Sequence, residues 1–109
     1  MRRIKVEELK QWLDNNKPIQ IVDTREKEEF EIAAIEGSVN IPKVQLADRL
    51  QELEQDKPVV ILCRFGTKSA ASGRLLISKG FNADFIYLLD GGIYEWATEI
   101  DTSMPSHLL

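Results

Sequence analysis

One cysteine, one histidine and few aromatic residues are all that this 109-residue sequence offers of the residue types that build most metal and redox sites. A single cysteine excludes an internal disulfide and a zinc site made of cysteine pairs. The lone His107 leaves no histidine cluster, so no metal is expected. No run approaches the ~18 apolar residues of a membrane span. The basic start Met1-Arg2-Arg3-Ile4-Lys5 is followed at once by Glu7-Glu8 rather than by an apolar signal region. Excess positive charge is also missing: 14 Lys and Arg against 18 Asp and Glu leave −4, which argues against a nucleic-acid partner. Small molecules or other proteins are the expected partners. A reducing cytoplasm is the expected compartment, where a lone thiol stays free.

What is present suffices for one folded domain over residues 1–109. Apolar residues make up 43%, ordinary for a globular chain and enough for a core without staples. Val6, Leu9 and Leu13, with Trp12 beside them, repeat at helical spacing and predict a helix over Lys5–Asn15. Ile19–Asp23 is short and β-branched, a strand, and Asp23-Thr24-Arg25-Glu26 turns at its end. Lys27–Glu31 is rich in helix formers and predicts one helical turn. Pro42 stops regular structure after the Gly37-Ser38 turn. Leu46, Leu50 and Leu53 then predict a helix over Val44–Glu54, broken by Gln55-Asp56-Lys57-Pro58. Pro58–Cys63 is nearly all apolar, the pattern of a strand covered on both faces.

A helix is expected over Ser69–Lys79, with Gly80 as its left-handed cap and Phe81 as the apolar partner of that cap. The small Ala70, Ala71 and Gly73 suggest close packing of this helix on the sheet. Asp84–Leu89 reads as another strand, Asp90-Gly91-Gly92 as a turn, and Ile93–Glu99 as a last helix with Trp96. Residues 101–109 are a polar, proline-containing tail, expected to be flexible, with His107 solvated. Strands alternating with helices predict an α/β domain with a mainly parallel sheet flanked by helices. In such sheets functional loops lie at the carboxyl ends of strands, where both Asp23 and Cys63 stand.

The chemistry concentrates after Cys63. The sequence Cys63-Arg64-Phe65-Gly66-Thr67-Lys68-Ser69 joins a strand to a helix. A loop of this size can curl its N–H groups around an anion at the helix start. Gly66 permits the backbone twist this needs, and Thr67 and Ser69 add hydroxyls. Arg64, Lys68 and the helix N-terminus favour a thiolate, the nucleophilic form of cysteine. The anion is the thiolate itself, a persulfide or a donor such as thiosulfate. A cysteine at a strand end is more often a plain core residue; the glycine, cations and helix start reverse that order.

The loop resembles that of rhodanese-type sulfurtransferase domains, whose members carry Cys-Arg-x-Gly-x-Arg-Ser or a close variant. Ile21-Val22-Asp23-Thr24-Arg25-Glu26, Glu29-Phe30-Glu31 and Ile35–Pro42 are similar to the family's first signature. Leu88–Trp96 is similar to its last. These blocks stand in family order over nearly the whole chain. The resemblance implies a rhodanese-like fold and a sulfurtransferase. In it Cys63 carries sulfane sulfur as a persulfide, with no other cofactor. Arg64, Phe65, Gly66, Thr67, Lys68 and Ser69 match the loop that holds that group, and Asp23 and Arg25 match a supporting pair near it. With no resolving thiol in the chain, the loaded form waits for an outside acceptor. The donor expected is a small sulfur compound or a persulfide-donating protein.

The chain departs from the family at two places. Lys68 stands where many members have Arg, which keeps the charge and loses the bidentate fork for an oxyanion donor. Ala33-Ala34 stands where many have Gly-His. The segment Glu29–Val39 and the tail Glu99–Pro105 look more like one subgroup, the rhodanese domain behind the adenylating enzyme of molybdopterin and related sulfur-carrier pathways. That likeness implies an excised C-terminal domain whose acceptor is a ubiquitin-like sulfur carrier. Related phosphatases and arsenate reductases place Arg six positions after the cysteine; here that position is Ser69. A non-catalytic rhodanese-like binding module is the other reading left open. Among other residues, Asp23 reads equally as an orienter or a turn former, Arg25 as a structural ion pair, and Trp12 and Trp96 as packing residues. Glu26–Glu31 reads as a solvated face.

Overall fold

A computed structural model describes all 109 residues. The elements are β1 (Arg2–Ile4), α1 (Val6–Asp14), β2 (Gln20–Asp23), α2 (Lys27–Ile32), β3 (Val39–Asn40), β4 (Val59–Leu62), α3 (Ser69–Ser78), β5 (Ile86–Leu89) and α4 (Gly92–Glu99). The five strands form one sheet in the order β1-β5-β4-β2-β3, and every pairing is parallel. This is the α/β architecture the alternation of strands and helices predicts.

The central position of β4 explains its composition. Val59, Val60, Ile61 and Leu62 are all fully buried. Val60 and Leu62 face one core with α1 and α4, through Val6, Leu9, Ile93 and Trp96. Val59 and Ile61 face the other with Leu76 of α3 and with Leu46 and Leu53. A parallel strand covered on both sides needs apolar residues at every position, not alternate ones. From β2 the chain moves to β3 on one side, and from β4 to β5 on the other. The carboxyl ends of β2 and β4 therefore flank the point where the sheet reverses direction, the usual place for a ligand crevice. Asp23 ends one strand and Cys63 follows the other.

Several local expectations hold in atomic detail. Helix α3 closes as predicted: the Phe81 amide donates to the Leu76 carbonyl at 3.1 Å, and the Gly80 amide to Ile77 at 3.1 Å, a Schellman cap with Phe81 buried. Gly73 packs tightly on the sheet: an added Cβ would lie 3.2 Å from Ile86 and 3.3 Å from Leu88. Of its small neighbours, Ala70 is half-buried and Ala71 is exposed, so only part of the small-residue stripe packs. Trp96 sits in the core. Trp12 packs edge-on against Tyr87 at 5.1 Å, under the Lys17 ammonium at 3.7 Å.

One element was not anticipated, and three expectations need correction. The basic start forms β1, an edge strand on β5 with Ile4 opposite Leu89. Three residues carrying one buried apolar side chain give no periodic signal, and edge strands tolerate cations. The helix expected over Val44–Glu54 is instead two 3₁₀ segments, Lys43–Asp48 and Leu50–Glu52, interrupted at Arg49. Leu46 and Leu53 still reach the core; tertiary packing overrides the helical spacing, and the Arg49 guanidinium braces the break by bonding Gln45 and Glu52. The strand expected from Asp84 begins at Ile86, because the Asn82 side chain accepts the Asp84 amide and starts a 3₁₀ turn. The tail is not free. Leu109 is buried in the core with Ile93 and Trp96, and Met104 packs beside it. His107 is exposed. No helix is long and apolar enough to cross a membrane.

Candidate active site

Cys63 leaves β4 at its carboxyl end and is buried. The chain then curls back on it. The Gly66 amide donates to Cys63 Sγ at 3.2 Å, and the Lys68 amide at 3.4 Å. Lys68 is the N-cap of α3, so the sulfur lies on the first turn of a helix among donors with no other partner. Gly66 has φ +84, in the left-handed region. An added Cβ there would lie 2.7 Å from the Gly91 amide nitrogen. Only glycine lets the loop press this closely on the β5–α4 turn.

Helix α4 holds the outside of the loop. The Ile93 amide donates to the Cys63 carbonyl at 3.0 Å and the Tyr94 amide to the Arg64 carbonyl at 2.9 Å. The loop carbonyls are thus bound outward and its amides turn inward to the sulfur. The end of β2 clamps the residue before the cysteine: the Thr24 amide and hydroxyl both donate to the Leu62 carbonyl, at 3.0 and 2.9 Å. Thr24, Gly92, Ile93 and Tyr94 were not singled out as site-builders by sequence reasoning. The turn glycines of the last block are the one signal that pointed there.

Asp23 and Arg25 form a buried ion pair, Nη2 to Oδ2 at 2.7 Å. Arg25 Nε also donates to Asp23 Oδ1 at 3.0 Å. Two further guanidinium hydrogens go to the carbonyls of Ala33, at 2.7 Å, and Glu29, at 3.4 Å. The pair therefore ties α2 to the end of β2. The Arg25 amide also donates to Asp23 Oδ1 at 3.0 Å, so Asp23 both forms the turn and orients Arg25. The Asn40 side chain adds bonds to the carbonyls of Asp23 and Arg25.

A cleft of about 460 Å³ opens on the thiol, lined by Cys63, Arg64, Lys68, Thr24, Arg25, Glu26, Glu29, Lys43 and Val44. The structure brings Cys63, Arg64, Lys68 and Arg25 together there. It places Phe65 and Thr67 elsewhere: with Gly66 they line a separate depression beside Arg3, Lys5 and Asp90. Phe65 stands half-exposed against Tyr94, ring centroids 5.3 Å apart. The Ser69 hydroxyl is buried and has no partner in the protein. Lys43 and Val44 enter the cleft from the 3₁₀ segment, which no spacing to Cys63 in sequence could reveal.

Residues 5–99 match the family described as the rhodanese-like domain. The probable adenylyltransferase/sulfurtransferase MoeZ of Mycobacterium tuberculosis is 33% identical over 99 residues, covering 89% of this chain and 25% of that protein. This chain spans about a quarter of the length of the adenylyltransferase/sulfurtransferases it matches. The thiosulfate sulfurtransferase GlpE of Shewanella oneidensis is 35% identical over 80 residues, covering 73% of this chain and 77% of that one. A crystal structure of a rhodanese-like domain protein from Staphylococcus aureus superposes with a TM-score of 0.80 at 31% identity, covering 88% of this chain and 91% of the other. The matched residues contain the β2 and β4 ends, the thiol loop and the α4 start that together build the cradle, and the chain belongs to the rhodanese-like domain family.

Proposed function

We propose that this domain is a sulfurtransferase that carries sulfane sulfur as a persulfide on Cys63. The observation that carries the reading is the pair of inward amides, Gly66 and Lys68, aimed at Cys63 Sγ. Fixed donors of this kind stabilise a negative sulfur without reorganising during reaction. The Cys63 thiolate attacks the outer sulfur of a donor such as thiosulfate. The new S–S bond forms as the donor's S–S bond breaks, and sulfite leaves with the electron pair. An acceptor thiolate then attacks the outer sulfur of the persulfide, and Cys63 departs as a thiolate. The chain holds one cysteine, so the acceptor comes from outside. No further cofactor enters this cycle.

Similarity to proteins named adenylyltransferase and sulfurtransferase supports a ubiquitin-like sulfur carrier as another physiological acceptor. The outer sulfur of the persulfide attacks the carbonyl of its C-terminal acyl-adenylate, and AMP leaves. External thiols supply the two electrons that cleave the resulting acyl disulfide to a thiocarboxylate and the Cys63 thiolate. At the sixth position after the cysteine, where related phosphatases carry Arg, this chain has Ser69, buried in the first turn of α3. That supports sulfur over phosphate. The test is intact mass after incubation with thiosulfate. One added sulfur on the wild type and none on Cys63→Ser is the expected result; no adduct with thiosulfate or any persulfide donor overturns the reading.

A further inference from the structure

The thiol loop supplies Arg64 and Lys68 to the cleft at Cys63. The segment after β3 lines it too, with Lys43 and the 80%-exposed Val44. The Lys43 amide donates to the Thr24 carbonyl at 3.2 Å, so this segment is tied to the end of β2, which also clamps Leu62. The ion pairs of the protein are Arg3–Asp90, Lys10–Asp14, Arg25–Asp23, Lys27–Glu31, Arg49–Glu52 and Lys57–Glu54. Lys43, Arg64 and Lys68 take part in none of them. Lys43, Lys68 and Arg64, whose guanidinium lies 5.0 Å from the Phe65 ring centroid, gather three cations without carboxylate partners around one cleft, against the net charge of −4. Two carboxylates also line it, Glu26 and Glu29, and both are engaged in the capping box of α2. The fourth cation, Arg25, is neutralised by Asp23.

The volume of about 460 Å³ falls in the range of small-molecule sites and far exceeds a sulfur oxyanion. We propose that Lys43 is a specificity-determining residue. Together with Lys68, which lines the same cleft, it selects a small organic thiol bearing a carboxylate as the acceptor, and Val44 covers the acceptor's apolar part. This deepens the sulfur-transfer reading by naming the acceptor class at the same site. The acceptor's thiolate forms the bond to the outer sulfur, the Cys63 Sγ–S bond breaks, and the acceptor's carboxylate stays beside Lys43.

The test separates this inference from the reading on which it rests. Cys63 is alkylated with iodoacetate and with iodoacetamide at one pH and low ionic strength. The reagents differ by a carboxylate against an amide, so the ratio of their rates cancels changes in thiol reactivity. The ratio should fall about three-fold in Lys43→Ala and about ten-fold in Lys43→Glu, and stay near wild type in Lys43→Arg. About 0.5 M salt should flatten these differences. In transfer assays with thiosulfate as donor, Lys43→Ala should raise KM for mercaptoacetate several-fold and leave mercaptoethanol unchanged. A rate ratio unmoved by Lys43→Glu overturns the proposal, whether or not a persulfide forms. A shifted ratio supports anion selection by Lys43 even if thiosulfate yields no persulfide, a result that would count against sulfur transfer alone.

Discussion

The amide of Ile93 donates to the carbonyl of Cys63 at 3.0 Å. This bond joins the start of the last helix to the proposed sulfur carrier. The first N–H groups of a helix have no partners within it; here two of them bind the thiol loop from outside. Every loop carbonyl held outward leaves neighbouring amides free to turn toward the sulfur. The cradle is therefore a product of α4 as much as of its own sequence.

Gly92 is the residue that this contact depends on. Its φ is +61, and an added Cβ would lie 2.6 Å from the Arg64 carbonyl oxygen and still closer to that of Cys63. Gly92→Ala should lower stability by at least about 2 kcal/mol and slow iodoacetamide alkylation of Cys63 more than ten-fold. Gly37→Ala is the matched control, because its φ is +85 with nothing within 4 Å of the new methyl. It should cost about 1–2 kcal/mol and leave alkylation unchanged. Urea unfolding and alkylation rates check both.

Removal of the Asp23 carboxylate strands a buried guanidinium. Asp23→Ala should destabilise the domain by about 3–5 kcal/mol. Joint replacement of Asp23 and Arg25 by apolar residues should cost less than the single change, since no uncompensated charge remains. Denaturant midpoints of the single and double variants decide it; equal losses would show that the pair's hydrogen bonds to α2 outweigh its charge balance.

Lys68 supplies its backbone amide to the sulfur and is one of the residues that line the cleft. Lys68→Arg keeps the amide and adds a planar fork that matches an oxyanion. Thiosulfate kcat/KM should rise about three- to ten-fold in Lys68→Arg and fall by a similar factor in Lys68→Ala. Steady-state kinetics at two salt concentrations measure this, and a flat response would remove the side chain from donor binding.

Leu109 is buried among Ile93, Trp96 and Ala97. Leu109→Ala should lower stability by about 2–5 kcal/mol. A thermal midpoint equal to that of the wild type would mean that the tail contributes nothing to the core.

Much of the fold can be read from local chemistry, because the causes are local. Four consecutive apolar residues in β4 require cover on both faces. Gly80 and Phe81 end α3 through bonds that span only six residues. The placement of Cys63, Gly66 and Lys68 between a strand and a helix predicts a loop that curls its amides toward the sulfur, as Gly66 and Lys68 do. What lies beyond local reach is spread along the chain. A three-residue strand at Arg2–Ile4 exists only because Tyr87–Leu89 is there to pair with it. The leucines at 46, 50 and 53 fit an α-helix, and the surface they must pack against makes two 3₁₀ segments instead.

The site divides in the same way. By itself the sequence pointed to the proposed nucleophile, the loop that faces it and the cations that flank it, since these are contiguous and their expected chemistry follows from residue type. The Gly66 and Lys68 amides reach Cys63 from within the loop. Tertiary structure alone decided that α4 and Thr24 hold the loop open to the sulfur, and that Lys43 and Val44 line the same cleft. Those contacts join residues about 20 to 40 positions apart. They depend on the order of strands in a parallel sheet, which no local pattern encodes.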